Sequence, residues 1–474
     1  MQVTTQAFQH NASAALQNPA LQKALKNIKI GFVRKRAAAV AKLPEFEALR
    51  EAGRDLKNHV LDHLDFYLER FAAKVTEHGG QVHWARDAAE ANQIVLEICR
   101  SVNAQRVTKG KSMISEEIGL NDFLEAHGVQ PVETDLGEYI IQLRHEHPSH
   151  IIAPAVHLNR DQVADAFQAH HAPYGFTERR EEPRALLDEA RQVLRQQFLQ
   201  ADVGVTGANF CIAETGTTVI VTNEGNGDLT QILPRVHIAL ASIEKVVPTL
   251  EDVSLLLRLL ARSATGQELS VYTTFSTGPR RPDDRDGPAQ FHVVLLDNGR
   301  SGMIGGEFQD MLRCIRCAAC LNHCPVYSAI GGHAYGWVYP GPMGSVLTPQ
   351  LIGIETAGPL PNASTFCGRC EEVCPVQIPL PKMMRHWREQ EFERHLTPVA
   401  ARFGLGVWAF FARRPRLYRQ AANLASWLFR RLAGGKGRIS SLPLAKGWTA
   451  WRDLPTPQGR TFQQQWAARR AHRS

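Results

Sequence analysis

The first 80 residues carry their apolar positions at helical spacing. A Leu-Pro step at 43–44 punctuates the run. Residues 46–75 then resume it with apolar residues every three or four places, which predicts helices 1–79 packing on the next domain. From about Gly80 the period changes, and short apolar or β-branched runs alternate with helical stretches. A strand over 81–84 precedes a helix over 88–100, and a strand over 106–108 precedes a helix over 121–127. Further strands are predicted over 129–132, 203–206, 217–222 and 237–241. A helix over 250–262 is followed by strands over 270–275 and 291–296. Strands alternating with helices predict an α/β domain over 80–298 with a largely parallel sheet, interrupted near its end by the polar stretch 278–287. The glycine-bounded segment 299–306 reads as a linker. A cysteine-rich module fills 307–382. In the rest, 383–474, Pro398, Pro415, Pro443, Pro455 and Pro457 predict short helices and loops.

Composition narrows the class. Of 474 residues, 44% are hydrophobic and 21% charged, which excludes wholesale disorder, a fibre and a small disulfide-stapled domain. No apolar run approaches the roughly 20 residues needed to span a bilayer. The N-terminal MQVTTQAFQHNASAALQ has neither the basic nor the apolar part of a signal peptide, so none is expected. Charge is uneven. The net +7 conceals a tail from Met383 onward with 18 Lys and Arg against 4 Asp and Glu, so the first 382 residues sum to −7. Six of the eight Trp lie in that tail (Trp387, Trp408, Trp427, Trp448, Trp451, Trp466).

Cysteine is more uneven still: seven of nine fall between Cys314 and Cys374. A tight cluster in a chain expected to lack a signal peptide points to a metal site in a reducing compartment. Residues 314–325 read CIRCAACLNHCP, which is C-x2-C-x2-C-x3-C-P; residues 367–375 read CGRCEEVCP, the same motif without its first Cys. The first spacing is that of the bacterial [4Fe–4S] run, whose fourth Cys serves the other cluster in two-cluster proteins. Exchanging ligands accordingly assigns Cys314, Cys317, Cys320 and Cys374 to a first, [4Fe–4S] cluster and Cys324, Cys367 and Cys370 to a second. The second is one Cys short, and Ser364 stands in the missing slot. It is therefore [3Fe–4S], or [4Fe–4S] with a non-Cys fourth ligand. Zinc is the competing metal, but it favours closed groups of four ligands, which seven Cys in this spacing fit poorly. Two clusters joined by ligand exchange form an electron wire, so coupled chemistry belongs at another site. Arg313, Arg316, His323 and Arg369 flank the motifs, either tuning the clusters or as solvated loop charges. The loop GGHAYGWVYPGPMG between them is either a cover for a cluster or a plain connector.

Other motifs fall short. Gly204-Val-Thr-Gly207 is not a dinucleotide fingerprint, and Gly110-Lys111-Ser112 mimics the end of a P-loop whose first glycine is replaced by Gln105. Cys99 and Cys211 sit in apolar surroundings and read as core. Three polar constellations remain: Glu133, Thr134, Asp135, Glu138 and Gln142; Ser149, His150 and His157; and residues 213–217 at a strand–turn–strand junction. Caps and satisfied core groups are the favoured reading of each. No catalytic residue is assigned.

Several of these stretches together resemble the lactate utilization B family: KGKSMISEEIGLNDFLEAHG…ETDLGEYIIQL, PSHIIAPAVH, GANFCIAETGT, LPRVHIALASIEKVVP, the 331–344 loop and both Cys motifs. The resemblance implies a LUD domain, similar to sugar-phosphate isomerase and CoA-transferase-like α/β folds. An α-helical two-cluster ferredoxin module and a mostly helical C-terminal region would follow. It implies the iron–sulfur subunit of a complex oxidising L-lactate to pyruvate, an oxidoreductase component and not a stand-alone catalyst. The implied partners are a second iron–sulfur subunit with cysteine-rich repeats and a further LUD-domain subunit. Placement is expected in the cytoplasm, with peripheral association at the inner face of the membrane left open. The seven Cys match the family's ligand positions, including the absent eighth. Two alternatives compete: the subunit of another 2-hydroxy-acid (glycolate) oxidase or heterodisulfide-reductase-like complex, and a nucleic-acid-binding protein with structural clusters. Without a nucleic-acid motif, no nucleic-acid partner is expected.

Overall fold

The computed structural model describes residues 3–442, 446–449, 452–457 and 459–471. The chain folds as two compact units, one running to Glu391 and one starting at Phe392. In the first, helices Phe8–Gln17, Pro19–Ile28, Arg34–Ala41, Phe46–Asp62 and Leu64–Glu77 occupy the N-terminal stretch. Ten strands follow: β1 (Gln81–Ala85), β2 (Arg106–Gly110), β3 (Gln130–Glu133), β4 (Val203–Gly207), β5 (Phe210–Ile212), β6 (Thr217–Thr222), β7 (Val236–Ser242), β8 (Val246–Val247), β9 (Tyr272–Ser276) and β10 (Gln290–Leu296).

Six of them form one parallel sheet in the order β1-β10-β7-β4-β2-β3. Helices cover both its faces, so its central strands are buried on both sides and read as continuous apolar runs. Helix Leu64–Glu77 packs Leu64, Leu68 and Phe71 against Ala239, Phe291 and Val293. Helix Ala88–Ser101 packs Val95 and Leu96 on the other face with Val205, Ile238 and Val294. Gly204 is needed where helix Asn226–Ile232 crosses β4, because a Cβ there would lie 1.8 Å from the Thr230 carbonyl oxygen.

The prediction of one largely parallel sheet needs correction. The strands read at 217–222 and 270–275 belong to a second, four-stranded sheet, β8-β5-β6-β9, in which β6 pairs antiparallel with both β5 and β9. Its other two members, β5 and β8, have three and two residues, too few to show a period. The predicted linker is also a packed segment: Arg300 within it is fully buried and ion-paired. The 331–344 loop docks closely on the α/β part, since a Cβ on Gly332 would lie 1.8 Å from the Ser149 carbonyl oxygen.

In the second unit Pro398 and Pro415 each mark a helix start, so they divide the chain into helices as expected, and Pro455 ends a two-residue strand, Leu454–Pro455. Pro398 precedes helix Val399–Ala412, and Pro415 opens the 18-residue helix Pro415–Leu432, where its fixed φ and missing N–H suit a first turn. Pro443 lies outside the described residues. Among the described residues no helix is long and apolar enough to cross a membrane.

Candidate functional site

The two cysteine motifs line two cavities. Cys314, Cys317, Cys320 and Cys374 line one, closed by Ile151, Met343 and Ile378. Cys324, Cys367 and Cys370 line the other, with Ser364, Phe366 and Tyr335. Each set therefore draws a cysteine from the opposite motif.

The local backbone explains this sorting. Arg316 and Ala318 both adopt the left-handed conformation, with φ of 58° and 61°, and curl the 314–318 loop around its sulfurs. Phe366 and Gly368 repeat the device in the second motif, with φ of 53° and 80°. The short helix Ala319–Asn322 then separates Cys324 from the first cavity. Cys324 is the N-cap of helix Pro325–Ile330: Pro325 fills its first position and the Cys324 Sγ accepts from Tyr327 N at 3.5 Å. Backbone amides also point at Cys314 Sγ from Arg316 at 3.4 Å and at Cys374 Sγ from Ile378 at 3.3 Å.

The electrostatics test what these donors can hold. Burial, and then the neighbouring sulfurs, push the Cys317 and Cys370 thiols up to about 12 and Cys374 up to about 11. Cys320 is pushed well above its usual value by burial and by four other cysteines, Cys314 first among them. Such a set ionises together only around a positive core that shares the charge. Among the described residues no three His, Cys, Asp or Glu side chains are grouped as ligands of one metal ion; the sulfurs surround voids instead. Soft donors around a void, with amides aimed at sulfur, fit an iron–sulfur cluster better than a single zinc ion.

Several functional neighbours escape the sequence reading. Arg50 donates to the Cys374 carbonyl from Nε (3.0 Å) and Nη2 (2.8 Å), and to the Glu372 carbonyl at 2.8 Å. Arg36 donates to the Val373 carbonyl at 2.9 Å. Lys57 donates to the Glu244 carbonyl at 2.5 Å. A signal did exist: on helix Phe46–Asp62, Arg50 and Lys57 share the buried face with Phe46, Gly53 and Val60, and charges on an inward face need a partner. Of the four flanking residues proposed from sequence, Arg313 is buried against Asp310 and Arg316 reaches Glu244. Arg369 is half-exposed and pairs with Glu372, while His323 Nδ1 bonds the Ala319 carbonyl at 2.8 Å.

The polar constellations mostly do structural duty. Asp135 caps helix Leu136–Leu143 and pairs with Lys111. Buried Lys109 sits between Glu116 (2.5 Å) and Glu133 (2.6 Å). His150 Nε2 meets Asn322 Oδ1 at 2.9 Å, and His157 Nε2 meets Glu146 Oε2 at 2.7 Å. Glu138 is different: burial, then Glu133 and Asp135, raise its carboxyl well above the usual range, and Oε2 has no partner. It lines a third cavity, of about 440 Å3, at the C-terminal ends of β2, β4 and β7.

Comparison with known proteins agrees with this layout. A LUD domain model matches residues 68–296, a 4Fe-4S dicluster domain model matches 310–378, and a model of the Lactate utilisation protein B C-terminal region matches 372–471. Lactate utilization protein B of Shouchella clausii is 42% identical over 471 residues, spanning 99% of this chain and 98% of its own length. The chain belongs to the lactate utilization protein B family. The family's Bacillus subtilis member is 40% identical over 477 residues, spanning 99% of this chain and 98% of its own. The Geobacillus kaustophilus member is 44% identical over 435 residues, spanning 91% and 90%. A solved DUF162 family protein from Deinococcus radiodurans aligns with 49% of this chain and 98% of its own at 16% identity and a TM-score of 0.26, too weak a likeness to bear on the fold.

Proposed function

We propose that this member of the family is the iron–sulfur electron-transfer subunit of a complex that oxidises L-lactate to pyruvate. The single observation that carries the reading is the sorting of seven cysteines into two cavities, four and three, each lined from both motifs. Cys314, Cys317, Cys320 and Cys374 hold a [4Fe–4S] cluster. Cys324, Cys367 and Cys370 hold the second, of [3Fe–4S] type or [4Fe–4S] with a non-Cys ligand beside Ser364. Such clusters supply one-electron acceptance and release. The protein's own part is to aim amides at the sulfurs, exclude water with Ile151, Met343 and Tyr335, and hold buried cations nearby.

In this reading residues 80–298 are the LUD domain, related to the sugar-phosphate isomerase and CoA-transferase-like folds; of the helices of 1–79, Leu64–Glu77 packs on its sheet and the earlier ones also reach the cysteine module. Residues 307–382 are the two-cluster module, and 383–474 form the region that meets partners. Those partners are a second iron–sulfur subunit with cysteine-rich repeats and a further LUD-domain subunit, assembled on the cytoplasmic side. The family name borne by the relatives supports lactate as the substrate.

The test is anaerobic purification of the complex from lactate-grown cells, followed by EPR on adding L-lactate. Rapid reduction by L-lactate and none by D-lactate or glycolate is expected. Clusters that dithionite reduces but no hydroxy acid does, in a complex shown to be intact, overturn the substrate assignment.

A further inference from the structure

The cavity at the C-terminal ends of β2, β4 and β7 has no part in holding either cluster. Ligands of open parallel sheets bind at this edge, where strand ends and loops converge. Here Lys111, Gly207 and Ser242 mark the strand ends, and Arg316 and Tyr339 of the cysteine module complete the wall.

Its two ends differ in charge. At one end Lys111 is neutralised by Asp135 and by Glu224. At the other, Lys245 is only 9% exposed, and among the described residues its ammonium has no hydrogen bond or ion pair. Beside it, the Arg316 guanidinium lies 4.7 Å over the Tyr339 ring, with Nη2 3.5 Å from Glu244 Oε1. Its Nη1 is buried without a partner. Glu244 is already engaged by Arg300 at 3.2 Å, so it does not neutralise both neighbours. A buried guanidinium nitrogen without an acceptor is costly, and an anion bound between it and the Lys245 ammonium removes that cost. Ile151 lines both this cavity and the one formed by Cys314, Cys317, Cys320 and Cys374, so the two share a wall residue.

We propose that this cavity binds a small 2-hydroxy- or 2-oxo-carboxylate, with its carboxylate between Lys245 and Arg316 and its body against Ile151. The choice of acid class rests on the lactate-oxidation reading; the cationic end and the shared wall do not. The substrate then sits in this subunit, against a residue that also walls the four-cysteine cavity. The alternative is that Lys245 and Arg316 serve only as counter-charges to the cluster beside Cys314.

The test uses the full-length chain with its clusters intact, isolated without oxygen, and equilibrium dialysis against labelled pyruvate and L-lactate. Saturable binding at one site per chain is expected. Lys245→Gln removes a charged partner and weakens it by about tenfold or more. Ala153→Leu, which fills the cavity from its wall, weakens it comparably, and both variants keep the iron content and cluster EPR signals of the parent. Absence of binding to the parent chain overturns the site. If L-lactate nevertheless reduces the intact complex, the electron-relay function stands and only the site falls. If Lys245→Gln shifts a cluster potential and leaves pyruvate binding unchanged, the counter-charge role replaces the proposal. Binding by the chain together with no reduction of the complex by any hydroxy acid supports the site and overturns the lactate-oxidation reading.

Discussion

Arg300 and Glu117 meet in a two-pronged ion pair, Nη1–Oε1 at 2.9 Å and Nη2–Oε2 at 2.7 Å, with both side chains wholly out of water. Glu117 also accepts from the Tyr339 hydroxyl at 2.7 Å and the Asn298 amide at 2.7 Å. Arg300 continues to Glu244 at 3.2 Å, and Glu244 to Arg316 at 3.5 Å. One charged chain thus runs from the end of the α/β part to the loop that carries Cys314 and Cys317. Arg300→Met leaves two carboxylates buried with too few cations, and breaking such a network costs roughly 3–5 kcal/mol. Urea unfolding followed by circular dichroism should show a loss of that size. Arg300→Met with Glu117→Gln should recover part of it, and a single-variant loss below ~1 kcal/mol contradicts this role.

The same network makes the fold sensitive to acid. Burial pushes the Glu244 carboxyl up, but Arg300, Arg316 and Lys245 outweigh it and hold it at about 2. A carboxyl lowered on folding contributes stability above its unfolded pKa of about 4.3, and that stability is lost as pH falls toward 2. His237 acts earlier. Burial, then His292, bring it down to about 3, and its Nε2 is 2.9 Å from Thr206 Oγ1. Below pH ~6.5 the unfolded chain takes up a proton there that the folded chain refuses, so stability falls with pH by ~1.4 kcal/mol per unit from this residue. His237→Leu should flatten the slope of unfolding free energy between pH 6.5 and 4 by about one proton. An unchanged slope would show that His237 titrates in the fold.

Cys324 and Cys374 provide a direct test of ligand exchange, because each belongs to one motif and lines the other's cavity. Cys324→Ser should abolish the EPR signal of the second cluster and leave the first, and Cys374→Ser should do the reverse. Ser364→Cys offers a fourth thiolate at the three-cysteine cavity, and Mössbauer spectroscopy should then find two [4Fe–4S] clusters. Damage by Cys324→Ser confined to the cluster of Cys314, Cys317 and Cys320 would refute the exchange.

The strand runs of the parallel sheet were legible because burial on both faces writes a continuous apolar pattern, as in β7 and β10. The convergence of Cys314, Cys317 and Cys320 was legible because spacing along a short loop fixes it, whereas the crossing of Cys374 and Cys324 was expected only from the ligand exchange typical of the motif. The second sheet was not, since β5 and β8 have three and two residues. Nor were the cations around the cysteines. Arg36 meets Val373 across 337 positions and Lys57 meets Glu244 across 187, and such pairings depend on the assembled fold. The 299–306 segment misled because its glycines suggest freedom, while Arg300 among them is locked on both sides by carboxylates.

The second unit yields a prediction from unpaired apolar surface. On helix Pro415–Leu432, Leu417, Leu424 and Leu428 recur at helical spacing along one stripe and are all exposed, Leu424 at 58%. Phe403 and Trp408 on helix Val399–Ala412 are exposed as well. An exposed apolar stripe marks a contact surface, and Arg416 and Arg431 beside it suit a partner with an acidic rim. Leu424→Glu with Leu428→Glu removes no core packing, so iron content and unfolding midpoint should match the parent. Co-purification of the other subunits with the tagged chain should nevertheless fall at least tenfold. Flotation with anionic vesicles separates this from lipid binding. Parent chain that stays with the vesicles, and loses them on the double substitution while still capturing its partners, would assign the stripe to the membrane.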